Sequence, residues 1–119
     1  MTLSVAQLND HFAHRFSDFK QVDENIVRFT RQLEGQPFAI YYLDSSAIIP
    51  ESRKELQTYL DRVIGQHYFE GNKSLQWSHY LFFLVSDEQL HTDAMRGAKE
   101  WIEQDRTYAR KWVITEKEL

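Results

Sequence analysis

The sequence predicts an α/β domain: about four strands in one mixed sheet, with helices packed on it. Three observations predict this. Leu75 to Leu119 reads as a buried strand, a charged amphipathic helix and a second strand with an acidic end. Two runs dense in β-branched and aromatic residues, IVRFTRQL and FAIYYLD, flank the short turn Glu34-Gly35-Gln36, which is hairpin chemistry. The chain has only four Gly and two Pro, so breakers carry information where they occur.

In chain order, Val5 to Phe19 comes first. Leu8, Phe12, Phe16 and Phe19 fall in steps of four, four and three, which is one face of a helix, and Ser4 is the N-cap candidate. Asn25 to Leu33 reads as a strand and Pro37 to Asp44 as its hairpin partner, with Pro37 at the strand start where its missing N–H costs least. Ser46 to Pro50 reads as a loop, with Pro50 suited to a first helical turn. Glu51 to Gln66 reads as a helix with Leu56, Tyr59, Leu60 and Val63 inward and Gly65 near its end. Tyr68 to Lys73 is a predicted loop. Trp77 to Val85 is nearly continuously apolar, so it reads as an interior strand covered on both faces.

A turn at Asp87-Glu88 follows. Thr92 or Asp93 caps a helix to about Asp105, with Met95, Ala98, Trp101 and Ile102 inward and Arg96, Lys99, Glu100 and Glu103 toward water. Tyr108 to Thr115 is the last strand. The three strands that alternate with helices are expected to be parallel, through right-handed crossovers. The whole chain, 1–119, reads as one domain: a helical segment over residues 1–22 leads into a sheet-and-helix core over 23–119.

Composition narrows the function. There are no cysteines, so disulfide scaffolds, cysteine nucleophiles and thiolate metal sites are excluded. The formal charge of −4 argues against a freestanding nucleic-acid binder. A basic strip at Arg106, Arg110 and Lys111, beside Tyr108 and Trp112, reads as a solvated edge. MTLSVAQLNDHF has neither a basic n-region nor an apolar h-region, and no apolar run reaches the roughly 20 residues of a membrane span. The expectation is a cytoplasmic protein without a membrane segment.

No motif of established chemistry stands out. His11 and His14, at i and i+3, could chelate a metal only with a third ligand from elsewhere; Asp10 and Asp18 are nearby in sequence, but with no HExxH or similar motif the pair reads as surface histidines flanking a buried Phe12. Ser45 and Ser46 lack the Gly-x-Ser-x-Gly elbow, and no glycine-rich phosphate loop is present. His79 is expected to be a partly buried, hydrogen-bonded structural histidine. Asp44 and Asp87 close predicted strands, where α/β sheets place active sites. Together they could bind a divalent cation or act as an acid–base pair, which gives a small metal-dependent enzyme or degenerate nuclease as an alternative. The Glu-x-Lys that a nuclease wants on its next strand is absent. The aromatic surplus points elsewhere: Trp77, Trp101, Tyr108 and Trp112, with Arg110, are the residue types enriched at protein interfaces.

Several stretches also carry a resemblance: YYLD, YFEGNKSLQWSHYLFFLVSD, the acidic-basic helix after it, and DRTYARKWVITEKEL. Their sequence resembles the middle components of bacterial ABC-three-component systems, from about Asn25 to the end. Leu75 to Asp87 and Tyr108 to Leu119 match best. In such loci a small protein of this kind is encoded beside an SMC-like ABC ATPase and an effector-like protein, a layout similar to Lamassu-type anti-phage defence. The resemblance implies a non-enzymatic accessory subunit without cofactor or metal, with DNA reached through the complex. A toxin-neutralising protein is a further alternative, because a small acidic domain suits that role.

Overall fold

A computed structural model describes residues 17–34, 36–65 and 79–115. The first described element corrects the sequence reading. β1 (Ser17–Asp23) is a strand where the predicted helix was to end and the helical segment to run on to residue 22. Two-residue turn chemistry explains it: Glu24-Asn25 joins β1 to β2 (Ile26–Leu33), and the Asp23 carboxylate accepts the Glu24 N–H at 2.8 Å. Pairing across that hairpin overrides the helical spacing of the preceding apolar residues. The earlier part of the predicted helix, with His11 and His14, lies outside the described residues.

β2 then pairs antiparallel with β3 (Gln36–Asp44), from Ile26 opposite Asp44 to Leu33 opposite Gln36. The turn places Glu34 at a φ of 54°, the left-handed region that tight hairpins use. β4 (His79–Leu84) and β5 (Arg110–Ile114) add in parallel, as the alternation with helices predicts. The sheet is therefore five-stranded in the order β1-β2-β3-β4-β5, one strand more than the sequence predicts.

The helix after β3 starts later than predicted. Ser52 is its N-cap, accepting the Glu55 N–H at 3.1 Å, so α1 is Arg53–Leu60 and Pro50 precedes the cap. A π turn, Asp61–Gly65, extends it. After β4, the predicted turn is a short helix, α2 (Asp87–Leu90), closed by a reciprocal capping box between Ser86 and Gln89. α3 (Asp93–Gln104) begins at the predicted cap, where Thr92 Oγ1 accepts the Met95 N–H.

Burial divides the sheet cleanly. On one face Tyr42, Leu81, Phe83 and Val113 pack under Leu56, Leu60 and Ile64 of α1 and its π turn and under Met95 and Ile102 of α3. Leu56, Leu60, Met95 and Ile102 belong to the predicted inner faces of both helices, of which Tyr59, Ala98 and Trp101 are only partly buried. His79 is buried on this side rather than partly buried as expected, and its ring stacks on Tyr42 at 6.0 Å. The opposite face carries Val27, Leu43, Leu84 and Ile114 with a belt of aromatics crossing four strands. Phe29 stacks on Tyr41, Tyr41 on Tyr80, and both Tyr80 and Phe82 on Trp112, at 5.1–5.9 Å between ring centres.

Three charged side chains predicted at the surface do other work. Lys99 and Glu103 of α3 form an ion pair at 2.5 Å and reach β5 together. Glu103 accepts the Val113 N–H at 2.9 Å, and Lys99 donates to the Val113 carbonyl at 3.0 Å. Lys111 is not part of a solvated strip: its side chain is fully buried, although Arg106 and Arg110 are exposed. Its ammonium meets the Asp105 carboxylate at 2.8 Å and the carbonyls of Asp105, Thr107 and Ala109 at 2.8–3.1 Å. That cation organises the tight turn before β5, in which Tyr108 has a φ of 64° and Ala109 N–H donates to Thr107 O at 2.7 Å.

Candidate functional site: an apolar groove beside an acidic cleft

β3 ends at Asp44, and the chain must turn there toward α1. Asp44 is buried; its Oδ1 accepts the Ser46 N–H and its Oδ2 accepts the Tyr59 hydroxyl, each at 2.8 Å. Burial pushes the Tyr59 phenol well above its usual range and the neighbouring Asp44 charge raises it further, so Tyr59 stays a neutral donor. Across the opening, Asp23 pairs with Arg62. The hydrogen bond from the Glu24 N–H, and then Arg62, hold the Asp23 carboxyl below its ordinary value. These groups line a cleft of about 340 Å³, with Glu24 and Glu55 on its rim. Four carboxylates (Asp23, Glu24, Asp44, Glu55) face one guanidinium (Arg62), so the cleft is acidic.

The loop from Ala47 to Pro50 forms one wall of this cleft and also a wall of a larger groove of about 810 Å³. Hydrogen bonds from outside and within fix that loop. Gln89 of α2 donates to the Ala47 carbonyl at 2.8 Å, and the Ile48 N–H donates to Ser46 Oγ at 3.2 Å. The floor of the groove is α3. Ala94, Gly97, Ala98 and Trp101 follow at i, i+3, i+4 and i+7, a stripe on one helix face. A Cβ at Gly97 would meet nothing within 4 Å, so the stripe is open to an incoming chain. Ile48 at the lip is 75% exposed, the sole exposed large hydrophobic among the described residues.

The residues singled out from sequence do not gather in one place. Trp101 lies in the groove. Tyr108 packs on the helix side and donates its hydroxyl to Asp61 at 2.9 Å. Arg110 and Trp112 lie on the opposite face, where the guanidinium sits 5.6 Å from the Trp112 ring centre at the end of the aromatic belt. Trp77 lies outside the described residues. Asp44 and Asp87 do not share the cleft either. Asp87 is exposed at the first turn of α2, where a carboxylate suits the helix dipole. Among the described residues no group of three or more His, Asp or Glu side chains is arranged to hold a metal ion. No helix among them is long and apolar enough to cross a membrane.

Sequence reasoning missed the loop wall and the acidic rim. One signal was available: Ile48-Ile49 is an apolar doublet in a loop, where apolar residues have no secondary-structure reason to occur. The small residues of α3 at helical spacing were the other. Comparison with protein-family models, with curated proteins and with solved structures finds no match for this chain.

Proposed function

We propose that this chain is a non-enzymatic accessory subunit of a cytoplasmic bacterial anti-phage defence complex, bridging an SMC-like ABC ATPase and an effector. The groove between the Ala47–Pro50 loop and α3 carries the reading: it is apolar, edged by the exposed Ile48 and floored by Trp101. A bare apolar patch of this kind is a property of surfaces that dock other proteins. The resemblance of the C-terminal half to middle components of three-component systems names the class of partner. DNA is contacted through the partners, in keeping with the acidic balance of the chain.

The test is co-expression with the products of the two flanking genes, read by size-exclusion chromatography. The expected result is a stable complex with a large ATPase, lost when Gly97→Leu fills the groove. A chain that elutes alone in the presence of both products would overturn the proposal. A complex with a small basic protein instead would favour the toxin-neutralising reading.

A further inference from the structure

The groove and the cleft are neighbours that share one ridge, formed by Ile48, Ile49 and Pro50. One side of the ridge is apolar. The other side is acidic, and neither Glu24 nor Glu55 has a cationic partner among the described residues. The groove itself has Glu51 and Asp93 on its margins and no lysine or arginine among its lining residues. Of the cations near the two depressions, Arg62 is paired with Asp23, and Arg96 is 3.6 Å from Asp93 and donates to the His91 carbonyl at 2.9 Å. Both depressions therefore present negative charge around an apolar centre.

Resting on the accessory-subunit reading, we infer that the ligand of this surface is a short amphipathic segment of a partner protein, apolar on one side and rich in Lys or Arg on the other. Its apolar side chains lie along the Ala94–Trp101 stripe, where Gly97 allows close approach. One basic side chain crosses the Ile48 ridge into the acidic cleft. The apolar anchor supplies contact area, and the flanking charge selects among segments and speeds encounter. Asp44 takes no direct part, because its two oxygens are already held by Ser46 and Tyr59. Glu24 and Glu55, exposed on the rim, are the recognising carboxylates, Glu55 through the oxygen left over while its Oε2 accepts the Glu51 N–H at 2.8 Å.

Three synthetic peptides of about four helical turns test this: leucine-lysine amphipathic, leucine-glutamate amphipathic, and alanine-lysine without apolar anchors. Each is titrated into the full chain at moderate salt and followed by NMR at the Ile48, Gly97 and Trp101 amides. The leucine-lysine peptide is expected to bind roughly tenfold more tightly than either control, in keeping with complementary charge around an apolar contact. Its affinity should fall about tenfold in Gly97→Leu and, independently, in the double variant Glu24→Gln/Glu55→Gln, which leaves the core untouched. Circular dichroism confirms that the variants fold, and Ile48→Ser at the exposed lip serves if Gly97→Leu does not. Equal binding of the glutamate peptide, equal binding of the alanine-lysine peptide, or binding by none would overturn the inference. A chain that joins the ATPase complex but fails these peptide criteria leaves the accessory reading standing and removes this one.

Discussion

Lys111→Met removes a buried cation without leaving a cavity, because methionine has a similar length and adapts its shape. The wild-type ammonium has four oxygen acceptors at 2.8–3.1 Å and a side chain with no exposure, against 27% exposure for the Asp105 side chain. Breaking a buried ion pair from one side costs about 3–5 kcal/mol. Arg106 and Thr107 are exposed, so water can reach part of the vacated turn, which puts the expected loss near 3 kcal/mol. With a urea m-value of roughly 1.5 kcal/mol/M, the unfolding midpoint falls by about 2 M. Lys111→Met/Asp105→Asn should lose less than the sum of the single variants, by about 1 kcal/mol or more, because each single change strands the other charge. Burial works to raise the Asp105 carboxyl, but hydrogen bonds from Lys111 and the Thr107 N–H outweigh it and hold the group below 3.8. Its contribution is thus fully present above that ordinary value and is lost as pH falls through the lowered folded value. Burial also holds the Lys111 ammonium below its ordinary 10.5, so the folded state releases this proton first and rising pH relieves the penalty up to that value. A loss under about 1 kcal/mol in urea titration, or strict additivity in the double variant, would refute this account of Lys111 as the organiser of the turn.

Other outcomes follow from single contacts. Gly97→Ala should raise stability by up to about 1 kcal/mol, seen as a higher urea midpoint, since the residue is exposed inside α3 and its new Cβ meets no neighbour. Tyr59→Phe leaves a buried carboxylate oxygen of Asp44 without its donor and should cost about 1–3 kcal/mol in the same titration. Glu103→Ala frees the Val113 N–H; hydrogen exchange at that amide is expected to speed up by about fivefold or more, and an unchanged rate would contradict the side-chain cap.

Much of the fold was legible because local pattern and tertiary role agree. The apolar spacing of Leu56, Leu60 and Val63, and of Met95 and Ile102, is the spacing of their buried face. The continuous run in β4 reflects cover on both faces, with Leu81 and Phe83 on one side and Phe82 and Leu84 on the other. β1 was hidden because its existence depends on cross-strand pairing that no local pattern records, and its register with β2 is irregular between Ser17 and Lys20. Lys111 was misread for a related reason: charge predicts exposure unless a turn supplies carbonyls, and the carbonyls of Thr107 and Ala109 carry no sequence signature. At the candidate site, Trp101 was visible as an aromatic on an amphipathic helix. The acidic rim was not, because Asp23, Glu24 and Glu55 come from a hairpin turn and a helix that are brought together only by the fold.

The grip of Lys99 and Glu103 on Val113 has a bearing on how this protein can assemble. A sheet grows by offering bare main chain at its margins, and main chain looks alike in every protein. Here the outward groups of Val113 are occupied by the chain's own side chains, and at the opposite margin the register of β1 with β2 is irregular. Strand-upon-strand growth is thereby discouraged at both margins of the sheet formed by the described residues. Association is left to side-chain surfaces, which can be altered one residue at a time; on the docking proposed above, a change of partner would need only point substitutions around Ile48 and Gly97 and no change of fold.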